Sequence, residues 1–142
     1  MRILLCIAGM PYAEATISFG CLIARFIQAV VTLLHVMPCE EGRGSGERAL
    51  ILAREMLVGL SVDTKLRQGN PIENILAEAR EGGHDLIVIG ARHKVGLAQR
   101  FLGSVAQTVV RRAPVSVLVV RQPGPDLHRI LICTIRLTSH SI

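Results

Sequence analysis

The sequence is poor in aromatic residues and has none of the long apolar runs that a membrane helix needs. It contains no Trp, one Tyr and three Phe among 142 residues, which disfavours a face that reads single-stranded nucleic acid by stacking bases. No stretch approaches the 18 or so apolar residues of a bilayer span. The N-terminal apolar segment is shorter than a secretory core and is closed by Gly9 and Pro11, so no export signal is expected. The four cysteines, Cys6, Cys21, Cys39 and Cys133, form no CxxC pair, and His35, His84, His93, His128 and His140 show no ligand spacing. No metal site is therefore expected, and the compartment reads as reducing and cytoplasmic. Gly-Lys-Ser and Gly-Lys-Thr are absent, which removes a Walker-type phosphate loop.

Acidic residues are missing from one region. Between Asp85 and Asp126 there is none, yet Arg92, Lys94, Arg100, Arg111, Arg112 and Arg121 lie there. These six charges exceed the net +5 of the whole chain, so the positive charge is regional and favours a bound anion. Arg111 and Arg112 have a second reading, as complements to a helix C-terminus. No DNA-reading motif accompanies the charge, and no nucleic-acid or membrane partner is expected.

What is present is an aliphatic chain, half apolar and 19% charged, of a size that suits one compact domain. Short β-branched runs alternate with amphipathic segments. Residues 2–7 read as a buried strand, 12–27 as a helix, 29–36 as a second strand, and 38–46, with three glycines, as a loop. Residues 47–60 read as a helix and 62–67 as a strand nearer an edge. Gly69-Asn70-Pro71 predicts a turn, with Asn70 as N-cap and Pro71 in the first helical position. Ile72, Ile75, Leu76 and Ala79 then follow at helical spacing until Gly82-Gly83. Residues 85–89 form a fourth strand, 103–112 a last helix broken by Pro114, and Val115 to Val120 a fifth strand. Alternation of this kind predicts an α/β fold, an open five-stranded parallel sheet with helices on both faces. After a Pro123-Gly124-Pro125 linker, Arg129-Ile130-Leu131-Ile132-Cys133 nearly repeats Arg2-Ile3-Leu4-Leu5-Cys6. The expected organisation is one domain over residues 1–121, with 122–142 as a linker and a strand resembling the start of a second repeat.

Open parallel sheets bind ligands beyond the carboxyl ends of their strands. One such end runs from Gly90 through a basic loop to Gly103-Ser104-Val105 at a helix start. Glycines that admit a ligand to the backbone, helix N-terminal amides and a hydroxyl make a phosphate site. The structural alternative is that Gly90 merely ends a strand and Ser104 opens a helix. A hydrolytic triad of Ser104, His93 and Asp85 lacks a nucleophile elbow and is not favoured. Gly44-Ser45-Gly46 with Ala49 and a distant Asp63 matches a dinucleotide fingerprint, but begins too far beyond the second strand and reads as a flexible loop.

The segment from Gly90 to Ser104 resembles the universal stress protein signature G-x2-G-x9-G-[ST], with His93 in place of the second glycine. The resemblance extends over residues 2–121 and includes Leu33-Leu34-His35-Val36, His84-Asp85-Leu86-Ile87-Val88-Ile89-Gly90 and Ala113-Pro114-Val115-Ser116-Val117-Leu118-Val119-Val120. It implies a Rossmann-like, adenine-nucleotide-hydrolase-type sheet with two helices on each face, and homodimers that pair through the last strand. The tail strand offers another way of covering an edge, in its own chain or a partner's. The resemblance also implies a nucleotide site: Ala8 and Gly9 after the first strand, Val36 for adenine, and Gly90, His93, Gly103, Ser104 and Val105 around ribose and phosphate. Ala8 stands where the family has an Asp that contacts the nucleoside. His93 brings a Cβ and a ring to a position of bare backbone. The expected function is a non-enzymatic binding or regulatory module that attracts an anion or phosphate. The alternative is an ATP- or AMP-binding stress sensor with at most slow ATPase activity.

Overall fold

The structure, a computed structural model, describes residues 1–10, 13–91, 103–121 and 131–133. Strand β1 (Arg2–Cys6) leads to helix α1 (Glu14–Ile27), β2 (Val30–Met37), α2 (Arg43–Met56), β3 (Val62–Gln68), α3 (Pro71–Glu81), β4 (Leu86–Gly90), α4 (Ser104–Arg112), β5 (Ser116–Val120) and β6 (Leu131–Cys133). The sheet order is β3-β2-β1-β4-β5-β6. Strands β1 to β5 are all parallel, and β6 is antiparallel to β5, pairing Val117–Val119 with residues 131–133. The five-stranded parallel sheet predicted from the alternation is present. The tail strand adds a sixth position, on the outer edge of β5 where a partner strand was expected.

The alternation of side chains along β1 decides which helices cover which face. Ile3 and Leu5 point into a cluster with Ile17 and Ala24 of α1, Ala49, Leu50 and Ala53 of α2, and Val31, Leu33, Val88 and Leu118. Leu4 and Cys6 point the other way, to Ile75, Leu76 and Ala79 of α3, Ala106 and Val109 of α4, and Ile87, Ile89, Val117 and Val119. Two helices therefore cover each face. The buried Cys6 thiol is held above its ordinary pKa, first by burial and then by the nearby Glu78 carboxylate. It packs as a small hydrophobe.

Most local signals read from the sequence hold. Asn70 Oδ1 accepts from the Glu73 amide at 3.1 Å, with Pro71 opening α3. Gly83, in the left-handed region at φ 61°, turns the chain after α3. The region after β2 differs. Instead of a loop to residue 46, a 3-10 turn at Glu40–Gly42 feeds α2, which begins at Arg43 and contains Gly44 and Gly46. Arg43 pairs with Glu40, and Ser45 Oγ donates to the Gly42 carbonyl at 3.0 Å. Gly46 is where this helix approaches the sheet: a Cβ there would lie 2.8 Å from His35 Cδ2 and 3.0 Å from Leu66 Cδ1. The glycine serves close packing, so the dinucleotide-like spacing of Gly44, Gly46 and Ala49 belongs to a helix body.

An ion-pair cluster locks the edge strand to α3. The Glu78 side chain is fully buried, and its carboxylate accepts from Lys65 Nζ at 2.7 Å and Arg67 Nη2 at 2.6 Å, both on β3. Arg67 also reaches Glu81 at 3.0 Å. Below this, the buried His84 ring presents Nδ1 to the Glu78 carbonyl at 3.1 Å, which requires the proton on Nδ1. Its Nε2 is buried without a partner among the described residues.

Candidate functional site

Chain direction across the sheet reverses between β1 and β4. From β1 the chain proceeds outward to β2 and β3, then returns across to β4 and β5. The crevice beyond the carboxyl ends of β1 and β4 is thus the topological switch point. Cys6 pairs with Ile89 in register, so Ala8 and Gly9 emerge beside Gly90. Val36 lies on β2, the other neighbour of β1, near its carboxyl end. Helix α4 runs back toward the start of β5, which brings its N-terminal residues Gly103, Ser104 and Val105 to the same end of the sheet. The fold gathers Ala8, Gly9, Val36, Gly90, Gly103, Ser104 and Val105 at one rim. His93 lies outside the described residues, as do Arg92, Lys94 and Arg100.

Helix α4 opens without a side-chain cap. Gly103 is the N-cap, and the first helical bond runs from the Gln107 amide to the Gly103 carbonyl at 3.0 Å. The amides of the first turn have no intrahelical acceptor and carry the positive end of the helix dipole. Ser104 is exposed beside them. Ala8 and Gly9 are exposed across the rim, and neither offers a side-chain acceptor.

Two residues shape this rim that the sequence reading did not assign. Thr16, buried in the first turn of α1, sits so close to β4 that a Cβ on Gly90 would lie 2.6 Å from its Oγ1. Gly90 therefore has a packing reason of its own, apart from any ligand. His35 at the end of β2 holds the end of β1: its Nδ1 lies 3.0 Å from the Ile7 carbonyl, while the Ile7 amide donates to the Leu34 carbonyl at 2.9 Å. The motif residues 33–36 were visible in the sequence. That the imidazole turns toward Ile7 needed the strand pairing.

The structure also redistributes the basic region. Arg111 and Arg112 occupy the last turn of α4, about 12–14 Å along the helix from Gly103 at 1.5 Å per residue. Arg112 reaches Glu73 of α3 at 2.6 Å, and each of the pair shifts the other toward its charged form, chiefly through the hydrogen bond between them. Both arginines complement the helix C-terminus, Arg112 also pairs with α3, and the anion site does not include them. Asp85 is likewise remote. Its carboxylate accepts from the Arg2 amide at 2.8 Å at the amino end of β1, while Ser104 lies beyond the carboxyl end, so the two cannot share a triad. Among the described residues no group of His, Cys, Asp and Glu is arranged to hold a metal ion.

Known proteins share this fold and sequence pattern. The universal stress protein family pattern matches residues 1–121. A universal stress protein of Methanocaldococcus jannaschii is 37% identical over 87 residues, 61% of this chain and 50% of its own length. One from Thermus aquaticus is 48% identical over 59 residues, 42% of this chain and 43% of its own. The chain thus spans about half the length of the curated relatives it matches. Among solved structures, a universal stress protein from Archaeoglobus fulgidus superposes with a TM-score of 0.76 at 24% identity, covering 84% of this chain and 97% of its own. A structure of the Archaeoglobus fulgidus protein in complex with dAMP gives 0.70 at 25% identity, covering 84% and 96%. No helix among the described residues is long and apolar enough to cross a membrane. With its parallel five-strand core, its two helices on each face and a family match over most of its length, the chain belongs to the universal stress protein family.

Proposed function

We propose that this chain is a binding and regulatory module without catalytic turnover, whose ligand site is the rim between β1, β4 and α4. The carrying observation is the start of α4, whose N-cap Gly103 makes no side-chain cap, at the carboxyl end of the sheet that holds the topological switch point. Such a start favours a phosphate or another small anion. Opposite it stand Ala8 and Gly9, and the described rim residues Ala8, Gly9, Met10, His35, Val36, Met37, Gly90, Ala91, Gly103, Ser104 and Val105 include no carboxylate. A nucleoside bound there lacks an acidic acceptor, and His93 stands where the family signature has its second glycine. Phosphate is held and nucleoside recognition is weakened. The proposed setting is the cytoplasm, with a second copy of the chain as partner.

An adenine-nucleotide sensor is the second reading, favoured by the related protein solved in complex with dAMP. Calorimetric titration with inorganic phosphate, AMP and Mg-ATP separates the two. Saturable phosphate binding with nucleotide affinity no better than about millimolar is expected; micromolar Mg-ATP affinity in the unaltered protein supports the sensor instead. Phosphate release from Mg-ATP above a protein-free blank overturns the non-catalytic assignment.

A further inference from the structure

We propose that this chain docks peripherally on an anionic lipid surface through the outer face of α1 and α2. The argument is independent of the ligand reading and starts from where apolar surface is left uncovered. Leu22 and Phe26 of α1, Ile51, Leu52 and Met56 of α2, and Val58 just beyond α2 are 36–89% exposed. Among the described residues α3 and α4, on the other face of the sheet, expose no large hydrophobic side chain. Scattered exposed apolar residues need no partner, but a set confined to one face marks an interaction surface.

Helical spacing and helix packing gather these side chains. Leu22 and Phe26 are one turn apart, as are Leu52 and Met56, so each pair shares a stripe along its helix. Both helices pack into the cluster around Ile3 and Leu5, and so lie on the same face of the sheet. They are joined at two points: Cys21 Sγ donates to the Met56 carbonyl at 3.8 Å, and Arg25 Nη2 donates to the Val58 carbonyl at 2.8 Å. The apolar stripe of α1 thus continues into Met56 and Val58.

Charge and shape then select the occupant. Arg25, Arg48 and Arg54 are exposed on these two helices, and none of them pairs with a carboxylate among the described residues. Arg48 shares its outward stripe with Ile51, Leu52 and Glu55, at i+3, i+4 and i+7. Three unpaired guanidinium groups against the Glu55 carboxylate leave the face positive. Arginine stems lie along apolar surface while their heads reach outward. Anionic headgroups supply the missing counterions, and the acyl boundary beneath them takes the apolar side chains. Phe26, 89% exposed, projects from the surface, and a projecting ring enters a fluid boundary without a matching pocket. Helix α1, at 14 residues, is too short to cross a bilayer, so the contact is with one leaflet. Phe26 and Val58 lie at the amino end of the sheet, where α1 and α2 finish. Docking there leaves the rim between β1, β4 and α4 open to solution.

The chain has no Trp, so Phe26→Trp places a single reporter in the full chain. Its emission is expected to shift to the blue with equimolar phosphatidylcholine–phosphatidylglycerol vesicles and not with phosphatidylcholine alone. Gln107→Trp, exposed on α4, is expected to shift with neither. In cosedimentation with the equimolar vesicles, Phe26→Ser is expected to lower partitioning roughly tenfold to a hundredfold, the worth of one buried Phe. Arg48→Gln with Arg54→Gln lowers it about thirtyfold. All these positions are exposed, so an unchanged melting temperature separates lost docking from lost fold. An unaltered chain that fails to bind the equimolar vesicles, or binds phosphatidylcholine alone as well, overturns the proposal. So does binding that these substitutions leave unchanged, or an equal blue shift at Gln107→Trp. Blue-shifted Phe26→Trp emission without vesicles overturns it too, because the face is then covered by protein.

Discussion

Removing the acid from the Glu78 cluster should cost less than removing one of its cations, although the acid makes both bonds. Glu78 has no exposed side-chain surface, whereas the Lys65 and Arg67 side chains are 46% and 27% exposed. Replacing Glu78 by Met removes the buried charge and leaves two cations that turn toward water, with Arg67 still held by Glu81. Exchange of a buried ion pair for apolar packing is often near neutral, and the loss expected for Glu78→Met is about 1 kcal/mol. Replacing Arg67 by Met leaves the carboxylate buried with Lys65 alone. Breaking a fully buried pair from one side costs about 3–5 kcal/mol; the remaining Lys65 contact and partial exposure reduce this to about 2–3 kcal/mol. Lys65→Met, removing the more exposed cation, falls between the two at about 1.5–2 kcal/mol, near the low end for a charged hydrogen bond. Thermal unfolding followed by far-UV circular dichroism measures all three, at roughly 2–4 °C in melting temperature per kcal/mol for a chain of about this size. The reasoning is refuted if Glu78→Met is the most destabilising of the set.

The remaining expectations concern acid stability, the two helix glycines and the ligand rim. Burial holds the His84 imidazole below its ordinary pKa of 6.5, against weaker opposing effects of Glu78. The unfolded chain therefore takes up the proton first, and stability declines as pH falls below about 6.5; His84→Leu should flatten that slope when urea midpoints are compared between pH 5 and 7.5. Gly44→Ala, in open space inside α2, should stabilise by about 0.5–1 kcal/mol. Gly46→Val, pressed against His35 and Leu66, should destabilise by about 1–3 kcal/mol, and equal effects in thermal melts argue against the close approach. The double substitution Ala8→Asp, His93→Gly should strengthen Mg-ATP binding by about two to four powers of ten, from an acceptor worth about 1.5–3 kcal/mol and relief of crowding worth about 1–3 kcal/mol. Unchanged calorimetric affinity removes those two positions from the explanation.

Sequence alone determined the parts of this protein that depend on local chemistry. Alternating apolar runs specify parallel strands and covering helices because side-chain period reports which face an element buries. Asn70 and Pro71 set the start of α3 because capping is satisfied within one turn. Gly90 and Gly103 mark the end of β4 and the start of α4 because strand ends and helix starts are signalled by nearby backbone. Tertiary structure decided what depends on residues far apart in the chain. Gly44 and Gly46 looked like a loop; at Gly46, β2 and β3 supply His35 and Leu66, the neighbours that make a bare helix surface useful. Arg111 and Arg112 counted toward an anion site until the direction of α4 carried them to its far end. Glu78 is buried because β3 brings two cations over it. The tail strand nearly repeats β1 in sequence, yet it runs antiparallel on β5, because the ten residues between Val120 and Leu131 are too few for the crossover a parallel strand requires.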